Sequence, residues 1–120
     1  ELVNKGHEVT PIMSENAYNT DTRFAKAIDI QNKLIEITGN SIIHTIEKAE
    51  PIGPKKMFDV LAVVPCTSNT LAKLANGIVD TTVTMAVKSH LRNNNPVVIG
   101  VSTNDALGAA AKKYRCTFKL

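Results

Sequence analysis

Between Asp59 and Val64 the chain reads Asp-Val-Leu-Ala-Val-Val, five apolar residues in succession with no polar alternation. An antiparallel strand with one wet face alternates; a continuous run of this length suits a strand buried on both faces, as in parallel sheets covered by helices. Pro65 is expected to stop the strand. The polar turn Cys66-Thr67-Ser68-Asn69 follows, and Leu71, Leu74, Ala75 and Ile78 then recur at helical spacing. The unit is strand, polar turn, helix. A second buried-type strand, Val97–Val101, follows a helical pattern over Thr81–Arg92 and the breaker Asn93-Asn94-Asn95-Pro96. Strands alternating with helices predict an α/β fold with a parallel sheet and right-handed crossovers.

The remaining elements are weaker. Glu1–Gly6 reads as the end of a helix closing on a C-cap glycine, which implies sequence upstream. His7–Met13 is a short strand candidate, Ser14–Asn19 a polar loop, and Thr20–Thr38 a helix capped by Asp21 or Thr22 and ended by Gly39. Phe24, Ala27, Ile28, Leu34 and Ile35 form its expected apolar stripe. Ile42–Ile46 is a marginal strand, and Pro51–Pro54 a loop.

With 120 residues, one domain is expected over 1–120. Apolar residues at 43% and charged residues at 21% argue against disorder, and no run is long enough for a membrane-spanning helix. The net charge of +3 is dispersed and only five aromatics occur, which disfavours a nucleic-acid surface. Cys66 and Cys116 make neither a C-x-x-C nor a metal-ligand spacing, so no metal is expected and a reduced, cytoplasmic setting is the default.

In open parallel sheets ligands bind outside the carboxyl ends of the strands. Three candidate strands end in small hydroxyl or amide residues: Ser14; Thr67, Ser68, Asn69 and Thr70; and Ser102, Thr103 and Asn104. The second group opens a helix, whose first N–H groups suit a phosphate. Ser68 as a plain N-cap is the alternative. Neither dinucleotide nor triphosphate fingerprints are present. His7 is expected to be exposed, His44 to pack, and His90 to sit as a cation late in a helix. Asp105 is placed to cap a following helix. Cys66 could have its thiol pKa lowered by the helix start, though packing is the favoured reading.

Pro65-Cys66-Thr67-Ser68-Asn69-Thr70, followed by Leu71-Ala72-Lys73-Leu74-Ala75 and Gly77-Ile78-Val79-Asp80, resembles the P-A-S-A-N-T signature of the homo-oligomeric flavoproteins that bind FMN. The family's later P-A-M-N motif keeps only its Asn, at Asn104. Thr20–Phe24, Glu36–Gly39, Ala49–Lys55 and Ser102–Gly108 are similar, more narrowly, to the flavoprotein component of the bacterial enzymes that make pyridine-2,6-dicarboxylate.

The resemblance implies a flavodoxin-like or Rossmann-like three-layer sandwich, truncated here, with FMN held by Ser14, Thr67–Thr70 and Ser102–Asn104. It implies a homo-oligomer working with a separate NAD(P)-binding A subunit on a small dihydropyridine dicarboxylate, in the mother cell of a sporulating bacterium. The alternatives are a non-catalytic FMN-binding or scaffold component, or another FMN-dependent enzyme of the family. Members that decarboxylate cysteine carry a catalytic His shortly before the Asp of the buried strand; Pro51 stands there, so that chemistry is set aside.

The resemblance also implies a first strand with its phosphate loop upstream and a further C-terminal part. Residues 1–120 alone are therefore expected to be marginally stable, prone to associate and weak in FMN binding. It fades after Ala111, and one deleted nucleotide in A-rich codons for Lys112-Lys113 would restore an apolar-periodic helix. Tyr114, Cys116 and Phe118 are then expected to carry no selected role; a short basic tail is the alternative.

Overall fold

In the computed structural model, which describes residues 1–102, strand β1 (Leu61–Cys66) pairs in parallel with β2 (Val97–Val101). The register runs from Leu61 opposite Val97 to Val63 opposite Ile99, then shifts so that Cys66 faces Val101. Pro65 falls in that irregularity. The strand therefore continues through it instead of stopping, because the shifted ladder makes no demand on the N–H that proline lacks.

Upstream of β1, the expected strands shrink to one parallel bridge, Ile12 with Ile43. The expected loop after Met13 is a short helix, α1 (Glu15–Asn19), capped by Ser14, whose hydroxyl accepts from Ala17 N–H at 3.2 Å. Helix α2 (Ala27–Thr38) starts seven residues later than the spacing suggested and closes on Gly39 in the left-handed region, φ 69°. Asp21 does reach its start, accepting from Ala27 N–H at 2.7 Å, but across a turn outside the helix. Phe24 is thus no core residue: it is 83% exposed, and Ile28 and Ile35 are exposed too. Helix α3 (Ile46–Ala49) replaces the end of the marginal second strand, and Pro51 sits in a 3-10 turn over Glu50–Ile52. Gly6 closes a 3-10 turn at φ 86°, as its sequence suggested.

Two helices make the crossover between the strands. Helix α4 (Ser68–Ala75) leaves β1, and α5 (Thr82–Leu91) returns the chain to β2. Helix α5 carries a capping box: the Thr81 hydroxyl accepts from the Thr84 N–H at 3.1 Å, and the Thr84 hydroxyl accepts from the Thr81 N–H at 3.0 Å. His90 lies in the last turn of α5, as expected, but is buried there. It is fully enclosed, its Nε2 lies 3.2 Å from the Pro96 carbonyl, and that oxygen also accepts from Leu61 N–H. A carbonyl can only accept, so Nε2 carries the proton in this contact.

The core joins Ile43, Ala49, Ile52, Leu61, Val63, Cys66, Leu71, Ala86 and Val87. Full burial of Ile52 alone is worth roughly 1.5–3 kcal/mol. Only one face of β1 is covered among the described residues. Leu61, Val63 and Cys66 point into the core, whereas Val60 and Val64 are 55% and 67% exposed. Val98 of β2 is likewise open, so the expected two-sided burial is not seen among the described residues.

A polar seam ties the amino ends of the strands. Gly53 N–H donates to Ser89 Oγ at 2.8 Å, Ser89 Oγ donates to Glu50 O, Asn93 Nδ2 donates to Gly53 O, and Asn95 Nδ2 donates to Phe58 O. Gly53 has no room for a side chain: a Cβ there would lie 2.2 Å from the Ser89 carbonyl oxygen. Asn104, Thr103, Asp105 and the segment from Lys112 to Leu120 lie outside the described residues.

Candidate functional site

The carboxyl ends of β1 and β2 lie side by side, because Ser102 N–H donates to Cys66 O at 3.0 Å. This brings Ser102 next to the Thr67 turn. Thr67, not Ser68, is the N-cap of α4: extended at ψ 159°, its hydroxyl accepts from Thr70 N–H at 3.3 Å, and its carbonyl accepts from Leu71 N–H. Ser68 and Asn69 form the first turn of that helix, Ser68 half-buried and Asn69 exposed. The Thr67 and Thr70 hydroxyls are 3.3 Å apart. The turn therefore gathers hydroxyls and an amide around the positive end of a helix dipole, and its own residues carry no ionised side chain.

Cys66 precedes this turn but does not serve it. It is fully buried, its Sγ lies 3.6 Å from Thr67 O, and burial pushes the thiol up from its ordinary pKa. Desolvation wins over the helix dipole here, since the sulfur sits in the apolar core.

Ser14 ends the other extended segment and is not bonded to the Thr67 turn; its hydroxyl is occupied in capping α1. It nevertheless stands on the same edge. Helix α5 runs from the carboxyl ends of the strands to their amino ends, and Thr82 at its start donates through Oγ1 to His44 O at 3.0 Å. His44 directly follows Ile43, so the Ile12–Ile43 bridge points the same way as β1 and β2.

Sequence reasoning passed over what this edge also contains. His44 is half-buried and stacked on Tyr18, with ring centroids 3.8 Å apart and planes 6° from parallel. Its Nδ1 lies 3.3 Å from Ile42 O. The two rings are far apart in sequence, so no local spacing announces the pair; Thr45 as cap of α3 was the one available sign that His44 ends a strand. His44 does pack, as expected, but at the carboxyl edge of the strands. Asp80, without an assigned role, is paired with Lys73 at 2.9 Å. An open apolar groove of about 700 Å³ lies elsewhere, between α4, α5 and β2, lined by Leu74, Ile78, Val87, Leu91, Val97 and Ile99. It reaches toward the amino ends of the strands and does not include the Thr67 turn.

The donor set of the Thr67 turn and Ser102 suits a phosphorylated, polyhydroxylated chain: neutral donors, a helix start and a close strand end. Residues 1–107 match the Flavoprotein family model, and the chain belongs to that family; its cofactor is accordingly a flavin. It is 48% identical over 108 residues to the B subunit of dipicolinate synthase from Bacillus subtilis, covering 90% of this chain and 54% of that protein. It is 34% identical over 109 residues to the coenzyme A biosynthesis bifunctional protein CoaBC of Thermococcus kodakarensis, covering 89% of this chain and 26% of that protein. The crystal structure of the B subunit of dipicolinate synthase from Bacillus halodurans superposes with a TM-score of 0.76 at 40% identity, over 98% of this chain and 62% of that one. The fold is thus the flavodoxin-like, Rossmann-like parallel α/β arrangement. The chain spans about half the length of the Bacillus subtilis relative. No described helix is long and apolar enough to cross a membrane.

Proposed function

We propose that this chain is the flavoprotein component of a dipicolinate synthase. It binds FMN and acts with an NAD(P)-binding A subunit, forming pyridine-2,6-dicarboxylate from a dihydrodipicolinate-type precursor during sporulation, in the cytoplasm of the mother cell. The observation that carries this reading is the 48% identity to the Bacillus subtilis protein across nine-tenths of the chain.

Thr67, Ser68, Asn69, Thr70 and Ser102 would hold the phosphate and ribityl chain, through hydroxyl and amide donors and the start of α4. Ser14 extends the same edge, and Thr103 and Asn104 are proposed for the ring or substrate side. When bound, the flavin supplies a two-electron acceptor, which is what aromatising a dihydropyridine requires. The chain's own task is to orient the ring and exclude water. A non-catalytic, flavin-binding scaffold is the second reading. It is favoured by Pro51 standing where cysteine-decarboxylating members carry a catalytic His, and by the later P-A-M-N motif keeping only its Asn, at Asn104.

The deciding experiment reconstitutes the full-length protein with its A subunit and follows pyridine-2,6-dicarboxylate formation. A flavin absorbance spectrum, FMN released on denaturation and a rate that needs both components are expected. An A subunit equally fast alone would instead support the scaffold.

A further inference from the structure

The Thr20–Phe24 block is used by nothing in the flavin site, yet the structure places it at the same edge. Helix α2 ends on the amino side of the Ile12 bridge, where Asn40 Nδ2 donates to Val9 O at 2.8 Å. Its start, and the loop before it, therefore lie toward the carboxyl side. Gln31 Nε2 holds that arrangement by donating to Tyr18 O at 2.6 Å, and Tyr18 is the ring stacked on His44.

The loop is fixed from within. Asp21 accepts from Ala27 N–H, the Thr22 hydroxyl accepts from the N–H groups of Phe24 and Ala25 at 3.3 Å, and Thr22 N–H donates to Ala25 O at 3.0 Å. Asp21 and Thr22 are thereby consumed by the backbone. Arg23 and Phe24 are left outward. The Arg23 guanidinium lies over the Phe24 ring, 4.7 Å from its centroid, and meets no carboxylate among the described residues. Stacking occupies the face of the guanidinium and leaves its in-plane N–H fork open, the part that pairs with a carboxylate through two parallel hydrogen bonds.

We propose that Arg23, braced by Phe24, anchors one carboxylate of the planar dicarboxylate substrate. The inference rests on the functional reading above and adds the cation that reading lacks. Lysine would keep the charge but lose the fork, so the two substitutions separate charge from geometry.

The test titrates the full-length, FMN-loaded protein with pyridine-2,6-dicarboxylate and with pyridine-2-carboxylate. Arg23→Gln is expected to weaken the dicarboxylate about tenfold or more, as loss of a charge-assisted pair does. It should also flatten the preference for two carboxylates over one. Arg23→Lys should restore part of both, while the melting temperature and the FMN affinity hold. Equal dicarboxylate affinity in wild type and Arg23→Gln overturns this inference and leaves the functional reading standing. A wild-type protein that binds FMN but neither pyridine acid overturns both.

Discussion

Cys66 shows how far one atom's surroundings can override its address in the chain. It stands beside a helix start, where a thiolate would be favoured, yet burial raises its pKa. The folded state thus keeps the thiol proton to higher pH than the unfolded chain does. The resulting stabilisation is complete below the unfolded thiol pKa and is lost as pH rises through the folded value. Denaturant midpoints measured from about pH 7 to 10 in a Cys116→Ser background should fall on the alkaline side. Replacing Cys66 by Ala should remove that part of the slope while lowering stability at neutral pH. Peptide-level mass spectrometry should show Cys66 resisting alkylation until the protein is denatured. Rapid labelling of the native protein would refute the burial argument. The sequence already favoured packing for Cys66. It did not disclose the places of His44, Arg23 and Phe24, because those depend on which edge a helix starts from, and local spacing carries no such information.

At the scale of elements, the units with several agreeing signals were legible. β1, β2, α4 and α5 each combined an apolar pattern with a cap or a breaker, and in the structure a capping box at Thr81 fixes the start of α5. The early segments misled for a physical reason. Thr22 caps a turn before the helix, and Asp21 reaches only the first N–H of α2 from outside it, so the helix starts late and the apparent stripe through Phe24, Ile28 and Ile35 lies in solvent. Helix α1, five residues long, is too short to show a period, and only its cap Ser14 could have betrayed it. Of the site, the Thr67 turn and its closeness to Ser102 followed from parallel strands, whereas the identity of the cap did not. Two cap substitutions should now separate structure from binding. Thr67→Ala and Thr81→Ala should each cost about 1 kcal/mol in denaturant melts. Only Thr67→Ala should also weaken FMN, read by fluorescence quenching, by roughly tenfold. Equal FMN affinity in both variants would detach the turn from the cofactor.

Across the molecule, the sheet is covered on one face and, among the described residues, open on the other. Val60, Val64 and Val98 together form an apolar strip on that open face, and single exposed residues are common where contiguous strips are not. Residues 1–120 expressed alone should therefore associate as concentration rises. Val64→Thr with Val98→Thr keeps β-branched shape while wetting the strip, and should reduce light scattering at equal concentration without loss of circular-dichroism signal. A wild-type chain that stays monomeric throughout would rule the strip out as the adhesive surface.

The seam of Glu50, Gly53, Ser89, Asn93, Asn95 and Pro96 fastens the amino ends of the strands, at the end of the sheet away from the Thr67 turn. It works like the spine of a book. The bound edge keeps the leaves in order, so exposed positions at the fore-edge, such as Arg23 and Asn69, can be rewritten with the binding left intact. One scaffold can then serve different chemistries by changing what is written at that margin, while the glycine at Gly53, pressed against the Ser89 backbone, admits no revision at all.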